Sequence, residues 1–596
     1  MLLCILLIEG AYIMPVAKNV KGEIPLLLDD TTTPRPRLSK LIIKNFRTIG
    51  VNPVEIDLDE IVVLIGENNS GKSSILRAYE VVMNDGSREG HLTLADFPNN
   101  KIDEEHRPQI EVHTILSESN HGRLGEQWVH KLENDEMLIR ERWTWYGEGA
   151  AKRHGFDVVK SSWSEDKVPW GAPNVASAYR PKPHRIDAFA SPEEQEKEIM
   201  KIFMPIITKK VKEFKQDDTS EKTDYELLVE QILMFQNNVS KSIESEVEVI
   251  ERQITEYLGK VFSNYKIKLD ANPEATVEKV YSPFKEATLT MGLADGYMAK
   301  VSAQGSGARR TLLWSALKYL AENKDTKSER PHVLLLDEPE LCLHPSAIRV
   351  ARNVLYDLPK TKNWQVMVTT HSPVFIDLSC NNTTIIRVER SSNDEVKSTT
   401  LYKAKTMLLG DTDKENLKLL NICDPYVHEF FFANRIIVVE GDTEYTAFSK
   451  MKLLYSDKYS DLHIIRARGK TIIPSIIKIL NQFTTNYAVL HDTDTIQTKK
   501  GTKNPAWAIN SNILDAAKRE DGYNPINIIA CKSNFEQAVL LGADAYSDKP
   551  HNAFISMDKD DAILKNVKEL LDALLNPRKT PPKNCIRWGK IEDLLD

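Results

Sequence analysis

The stretch Ile61–Ile75, IVVLIGENNSGKSSI, constrains this chain more than any other. Its first five residues are apolar and four of them are β-branched (Ile61, Val62, Val63 and Ile65), the pattern of a buried strand. Gly66 opens the spacing Gly66-x4-Gly71-Lys72-Ser73, and Ser74 to Tyr79 reads as the start of a helix. Strand, glycine loop and helix in that order are the context a phosphate-binding P-loop requires. The glycines let backbone N–H groups close around phosphates, Lys72 brings a point charge to the β/γ oxygens, and Ser73 offers a hydroxyl to Mg²⁺. Asn69 and Ser74 join Gly66, Gly71, Lys72 and Ser73 as expected ATP contacts.

A chain of 596 residues exceeds one ordinary core, so at least two domains are expected. Its composition, 41% hydrophobic and 28% charged, is that of a soluble globular protein. The net charge of −8 excludes a uniformly basic nucleic-acid coat and leaves open a local basic groove or a metal-bridged phosphate contact. Cys4, Cys342, Cys380, Cys423, Cys531 and Cys585 lie far apart with no CxxC pair, which points away from zinc or redox work and towards a reduced cytoplasmic compartment. The apolar run Leu2–Ile8 lacks a basic flank and is too short to span a bilayer. It reads as a buried strand, or as an extension upstream of a start at Met14. No membrane partner is expected.

Residues 1–37 end in TTTPRPR and read as a linker, with folded structure expected from Leu38. Leu41 to Arg47 alternates like an edge strand, and Val54 to Leu58 gives a second strand. QIEVHTIL and MLIRERWTW suggest an antiparallel lobe, with Trp143, Trp145 and Tyr146 read as packing residues rather than base-stacking ones. Residues 150–188 are rich in Pro, Gly and Ser and yield no assignable elements. Between 191 and 265 the pattern turns to amphipathic helices, LLVEQILMF and VEVIERQITEYLGKVF, an insertion suited to a dimerisation arm.

His332-Val-Leu-Leu-Leu-Asp337-Glu338-Pro339 is an apolar strand ending in two acids, the form of a Walker B motif. Asp337 would hold Mg²⁺ through water while Glu338 polarises the attacking water. Val368-Thr-Thr-His371-Ser372-Pro373 closes another strand, and His371 at its end would contact a γ-phosphate. Ala303-Gln-Gly-Ser306-Gly307-Ala-Arg-Arg310 before an apolar helix resembles the ABC signature region in its RecF/OLD form, and the strand carrying Asn45-Phe46-Arg47 resembles the opening of RecF and SMC-type ATPases. That resemblance implies that Ser306 and Gly307 of one subunit complete the ATP site of another, hence a homodimer or higher homo-oligomer. Gln109 is a candidate for the Q-loop and is left unassigned.

A second acidic constellation follows a helical, linker-like stretch. Asn434-Arg-Ile-Ile-Val-Val-Glu440-Gly441-Asp442-Thr443-Glu444 is a β-branched strand ending in an acid and a glycine turn, with Glu444 placed on the next helix to face the same site as Glu440. Tyr487-Ala-Val-Leu-His491-Asp492-Thr493-Asp494 ends in DxD, whose alternate spacing would send both carboxylates to one side. Glu536 adds a further acid after the next strand. Carboxylates at successive strand ends form the hard-oxygen shell that Mg²⁺ or Mn²⁺ takes, and two such ions activate water and stabilise the leaving oxygen of a phosphodiester.

Glu-Gly followed by DxD on alternating strands and helices resembles a Toprim domain. An ABC ATPase followed by Toprim resembles the OLD (overcoming lysogenisation defect) endonucleases, a family that includes the nuclease subunit of Gabija phage defence. The resemblance runs from Leu38 to Pro550. Gly469-Lys470 looks like the family's GK turn and Lys549-Pro550 like its KP element, which makes Lys549 the candidate for steadying the transition-state phosphate. One departure is Asn534, where a hydroxyl residue is expected two before the glutamate.

The fold expected is α/β: an ABC-type (RecF/SMC-like) ATPase with an inserted helical dimerisation arm, followed by Toprim. Its parts are 1–37 extension, 38–190 ATPase N-terminal part, 191–265 helical insertion, 266–410 ATPase C-terminal part, 411–433 linker and 434–596 Toprim. The function expected is cleavage of DNA, regulated by ATP and dependent on divalent metal, in bacterial antiphage defence. A helicase, a reverse transcriptase or another defence protein is a possible partner. The alternative is an ATP-dependent DNA clamp whose Toprim fold only grips DNA; a full metal shell at Glu440, Asp492, Asp494 and Glu536 argues against it. Primase or topoisomerase activity, a third reading, would need a template-binding module or DNA-gate domains, neither found in the sequence.

Overall fold

The computed structural model describes residues 37–595 except 117–123, 133–135, 177–179, 189, 214–245, 261, 263, 271–287, 323–330, 362–363, 379, 381, 392, 405–409, 411, 414, 417–426, 434, 482–486, 499, 519–525 and 543–547. The run Leu2–Ile8 and the helical stretch LLVEQILMF lie outside the described residues.

Ile61–Ile65 is a strand with every residue buried, the burial on both faces that an unbroken apolar run demands. It lies third in a six-stranded sheet of order Val396–Lys403, Thr383–Arg390, Ile61–Ile65, Trp364–Thr369, His332–Asp337, Lys182–Ile186. All neighbours run parallel except the hairpin pair Thr383–Arg390 and Val396–Lys403. The C-terminal ends of the P-loop, Walker B and His371 strands therefore meet along one edge, where open parallel sheets bind ligands. Lys182–Ile186 comes from the stretch whose composition gave no assignment. As the outermost strand it tolerates Pro183, which has no N–H to donate.

A seven-stranded antiparallel sheet carries the prelude. Arg37–Lys44 lies between Val54–Asp57 and Gln109–Leu116, so it is an interior strand and not the edge strand its alternation suggested. Asn45 and Arg47 adopt left-handed backbone (φ 52° each), and Phe46 pairs with Ile49, so Asn45–Arg47 forms a turn after the strand. Trp143 and Trp145 are each 1% exposed and pack in the core shared with the P-loop helix Lys72–Met83. Tyr146 departs from the packing reading: it is 49% exposed, with the Arg107 guanidinium 4.3 Å from its ring centroid.

Helix Pro192–Glu213 and the helical residues 246–259 share a core with the antiparallel strands Tyr265–Asp270 and Thr288–Leu293. Ile199, Phe203, Val247, Ile250, Ile254 and Leu258 are buried in the cluster that also holds Ile61 and Leu334. The apolar residues named here, in the described part of the insertion, are buried within this chain.

The second sheet has the order Leu462–Arg466, Arg435–Val439, Tyr487–Asp492, Asn527–Cys531, Cys585–Arg587, with the first four strands parallel and the last antiparallel. One apolar cluster runs without a break from Ile61 through Phe430 and Phe431 to Val438 and Val489. Buried Arg387 donates from Nη2 to the carbonyls of Phe431 (2.5 Å) and Ala433 (3.2 Å), fastening a strand beside the P-loop strand to the segment that enters the second sheet. Among the described residues no helix is long and apolar enough to cross a membrane.

Candidate functional site

The P-loop is shaped by its glycines. Gly66 has φ 149°, and a Cβ there would stand 2.0 Å from the Val388 carbonyl oxygen. Gly71, with φ 106°, is the left-handed N-cap of helix Lys72–Met83. Asn69 is also left-handed (φ 63°), and its carbonyl accepts from Arg390 Nε at 2.9 Å. Lys72 is 5% exposed and donates to the carbonyls of Gly66 (3.0 Å) and Glu67 (2.8 Å). Burial lowers its pKa, opposed by Glu338, Asp337 and Glu340. Ser73 is exposed at the helix start, whereas Ser74 is buried, its hydroxyl 3.1 Å from Thr48 Oγ1.

Around this loop the neighbouring strand ends place the other groups. Asp337 is nearly buried, and its Oδ1 accepts from Thr369 Oγ1 at 2.6 Å. Glu338 takes a left-handed φ of 44°, and its N–H donates to Thr369. His371 Nε2 lies 3.4 Å from Glu338 Oε1, within ion-pair range but without a hydrogen bond. Burial and the nearby Lys72 charge lower the His371 pKa. Lys72, Asp337, Glu338 and His371 thus converge on one end of the sheet.

Ser306 and Gly307 begin helix Ser306–Glu322. A Cβ on Gly307 would come within 2.8 Å of the Cys342 carbonyl oxygen, and Arg310 Nη1 donates to the Glu338 carbonyl at 3.2 Å. These contacts run to the loop after the Walker B strand. Thr369 was not singled out from the sequence; Arg310 was read there only as part of the signature region, and Glu340 only as the start of the loop Glu340–Pro345 that follows Walker B in the ABC order of motifs. Gln109 begins a strand of the antiparallel sheet, paired with Lys44 and Thr144.

The second site forms where the parallel strands of the other sheet end. Glu440 follows Arg435–Val439, and its Oε2 accepts the Asp492 N–H at 3.2 Å. Glu444, on the first turn of helix Asp442–Leu454, accepts the Gly441 N–H at 3.2 Å. Glu536 is 4% exposed; its Oε1 accepts from Thr443 Oγ1 (3.3 Å) and pairs with Lys549 Nζ (3.1 Å). The strand ends at Asp492, and Asp494 sits beyond it with φ 60°. Asp494 therefore lies outside the strand alternation expected of DxD, because period two holds only within a strand. The Asp494 carboxylate turns instead to Lys470 Nζ (2.6 Å), which also donates to the Asp492 carbonyl (2.5 Å).

Beneath this shell lies a residue pair that sequence reading missed. His491 is fully buried; its Nδ1 lies 2.8 Å from the Asp492 carbonyl, and its Nε2 accepts from Trp588 Nε1 at 3.1 Å. The carbonyl can only accept, so Nδ1 carries the proton and the ring is neutral. Burial and Lys470 push its pKa down to about 3.

The carboxylates strain against their surroundings. Burial, with Glu440 and Glu536 adding to it, raises Glu444 to about 7. Burial also raises Glu440, and burial with the four neighbouring acids Glu444, Glu440, Glu536 and Asp494 raises Asp492 well above the carboxylate range. Asp492 Oδ1 is buried without a hydrogen-bond partner. An orphaned carboxylate oxygen among four like charges is a donor set suited to hard divalent cations. Among the described residues no three such side chains already stand around one point as metal ligands; they are held by Gly441, Asp492, Thr443, Lys470 and Lys549 instead.

Comparison with known proteins bears on both sites. Residues 37–142 and 187–376 match the family model described as AAA ATPase domain, and residues 431–494 match the one described as overcoming lysogenization defect protein-like, TOPRIM domain. The chain is 23% identical over 478 residues to the Old nuclease of Escherichia phage P2, covering 77% of each. It is 22% identical over 539 residues to the OLD nuclease of Thermus scotoductus, covering 86% of this chain and 93% of that one. Among solved structures, the Smc head domain of Pyrococcus furiosus with an extended coiled coil aligns with 65% of this chain and 100% of its own, at 15% identity and a TM-score of 0.38.

Proposed function

We propose that this chain, a member of the OLD family of ATPase–Toprim proteins, is a nucleotide-regulated DNA endonuclease whose cleavage requires divalent metal. The observation that carries the reading is the second site: Glu440, Glu444, Asp492, Asp494 and Glu536 gather at the ends of parallel strands, with Asp492 Oδ1 buried and unpartnered. Divalent ions bound there would activate water and stabilise the departing oxygen of a phosphodiester. Glu440, Asp492, Asp494 and Glu536, with Glu444 behind them, are the residues that would hold such ions. Lys470 fixes the backbone of the DxD turn by its bonds to Asp492 and Asp494. Lys549, paired with Glu536 and 44% exposed at its side chain, is free to exchange that partner for a phosphate oxygen.

At the first site Gly66, Asn69, Gly71 and Ser74 shape the phosphate cradle, Lys72 neutralises the β/γ oxygens, and Ser73 and Asp337 would hold the nucleotide's Mg²⁺. Glu338 orients and polarises the attacking water, and His371 stands beside it at the γ-phosphate end. We assign residues 38–190 and 266–410 to the ATPase, 191–265 to its helical insertion and 434–596 to Toprim. The resemblance to RecF/OLD-type ATPases supports a homodimer in which Ser306 and Gly307 of one subunit complete the ATP site of the other.

Purified protein incubated with supercoiled plasmid and Mg²⁺ or Mn²⁺, with and without ATP, tests the reading. Nicked or linear product that disappears in Asp492→Ala while ATP hydrolysis continues is the expected result. Wild-type nicking by clean Asp492→Ala protein would sink the nuclease assignment and favour a DNA clamp. The family resemblance supports a defence role in the bacterial cytoplasm, checked by plaque counts on a host carrying either the wild-type or the Asp492→Ala gene.

A further inference from the structure

Glu340 follows the Walker B pair by two residues and has no part in the roles above. Its Oε1 accepts from the backbone N–H of His371 at 2.7 Å and from Thr370 Oγ1 at 2.8 Å. Thr370 Oγ1, on a residue with no exposure, accepts in turn from the Ser372 N–H at 2.9 Å. The turn Thr370-His371-Ser372 is therefore wrapped around a single carboxyl oxygen.

The consequence falls on His371. Its imidazole Nε2 stands 3.4 Å from Glu338 Oε1 without a hydrogen bond, so that contact does not by itself hold the ring. What fixes the direction from which the ring leaves the backbone is the hydrogen bond that the His371 N–H donates to Glu340. Glu340 lies in the field of the P-loop lysine and of Arg310 on the signature helix, so one half-buried side chain touches the switch turn and stands near both of these other parts of the nucleotide machinery. Its Oε2 is buried with no hydrogen-bond partner, and burial raises its pKa. A solvated surface acid would show neither property, since an uncompensated buried carboxylate is costly.

We propose that Glu340 is a positioning residue for ATP hydrolysis, holding the turn that aims the His371 imidazole at Glu338 and the P-loop. The inference rests on the reading that Glu338 and His371 act on bound ATP. Misplacing a catalytic group by about 1 Å can cost on the order of a hundredfold in rate. Glu340→Ala is expected to lower kcat for ATP at least about tenfold with little change in nucleotide affinity. Glu340→Gln, whose amide oxygen can accept the same two bonds, should regain most of that loss. The decisive measurement is a double-mutant cycle with His371→Ala. If Glu340 acts through His371, removing it from protein already lacking the imidazole should change kcat by less than about twofold. Fully additive losses, or wild-type kcat in Glu340→Ala, overturn the proposal while leaving the ATPase reading intact; wild-type protein that turns over no ATP removes that reading itself. Should Glu340→Ala fail to fold, Thr370→Val, which deletes one of the two bonds, carries the same cycle with a smaller expected loss.

Discussion

At the residue scale, the P-loop engages its own ammonium. Lys72 bonds the carbonyls of Gly66 and Glu67, and phosphate oxygens must replace those two acceptors. Lys72→Ala should abolish ATP binding or turnover, measured by equilibrium binding and phosphate release; retained turnover would refute the P-loop assignment. Glu338→Gln should bind ATP and hydrolyse it slowly, because it keeps the shape but loses the group that polarises water. Glu444 makes a prediction about pH. Its carboxyl is raised from 4.5 to about 7, so the folded chain holds a proton that the unfolded chain releases across that interval. The stability this group contributes without metal is therefore full below about pH 4.5 and falls as pH rises towards about 7. A divalent cation held by the acids around Glu444 would displace the proton and offset the repulsion. Melting temperatures with Mg²⁺ and with EDTA should thus diverge as pH rises from about 5 to about 8, and a constant gap would count against Glu444 sensing the metal.

At the scale of elements, the amide at Asn534 has a local explanation. It is the N-cap of the short helix Phe535–Ala538, its side chain accepting the Gln537 N–H at 2.9 Å, and that helix carries Glu536. Serine caps a helix about as well as asparagine, so a hydroxyl residue and an amide do the same work here. Asn534→Ser should leave the Mg²⁺ dependence of cleavage unchanged. Asn534→Ala should cost about 1 kcal/mol locally and raise the Mg²⁺ concentration needed, read by titrating cleavage against metal. The elements also show where periodicity stops being informative. DxD looks like strand alternation, yet the strand ends at its first aspartate, and a left-handed residue and a lysine from another turn place the second.

At the scale of the whole molecule, the two sheets share one apolar cluster and are bridged by Arg387, so nucleotide and nuclease sites stand on a continuous scaffold. If the ATP sites are completed across subunits, mixing Lys72→Ala with Ser306→Arg protomers should restore part of the ATPase activity that each lacks, since one site of the mixed dimer is whole. A monomer by light scattering with full activity would contradict this. What the sequence determined by itself were the groups whose chemistry is written locally. Gly66 and Gly71 set a loop conformation within six residues, and apolar runs ending in Asp337, Glu440 and Asp492 mark strand ends because burial on both faces demands such runs. Only the tertiary structure decided which groups serve those residues. Trp588 reaches His491 across 97 positions, Arg310 reaches Ala188 across 122, and Lys182–Ile186 joins the ATPase sheet beside a strand about 150 residues later. Such pairings follow from the order of strands in a sheet, and a buried donor or acceptor takes whichever partner that order brings within reach.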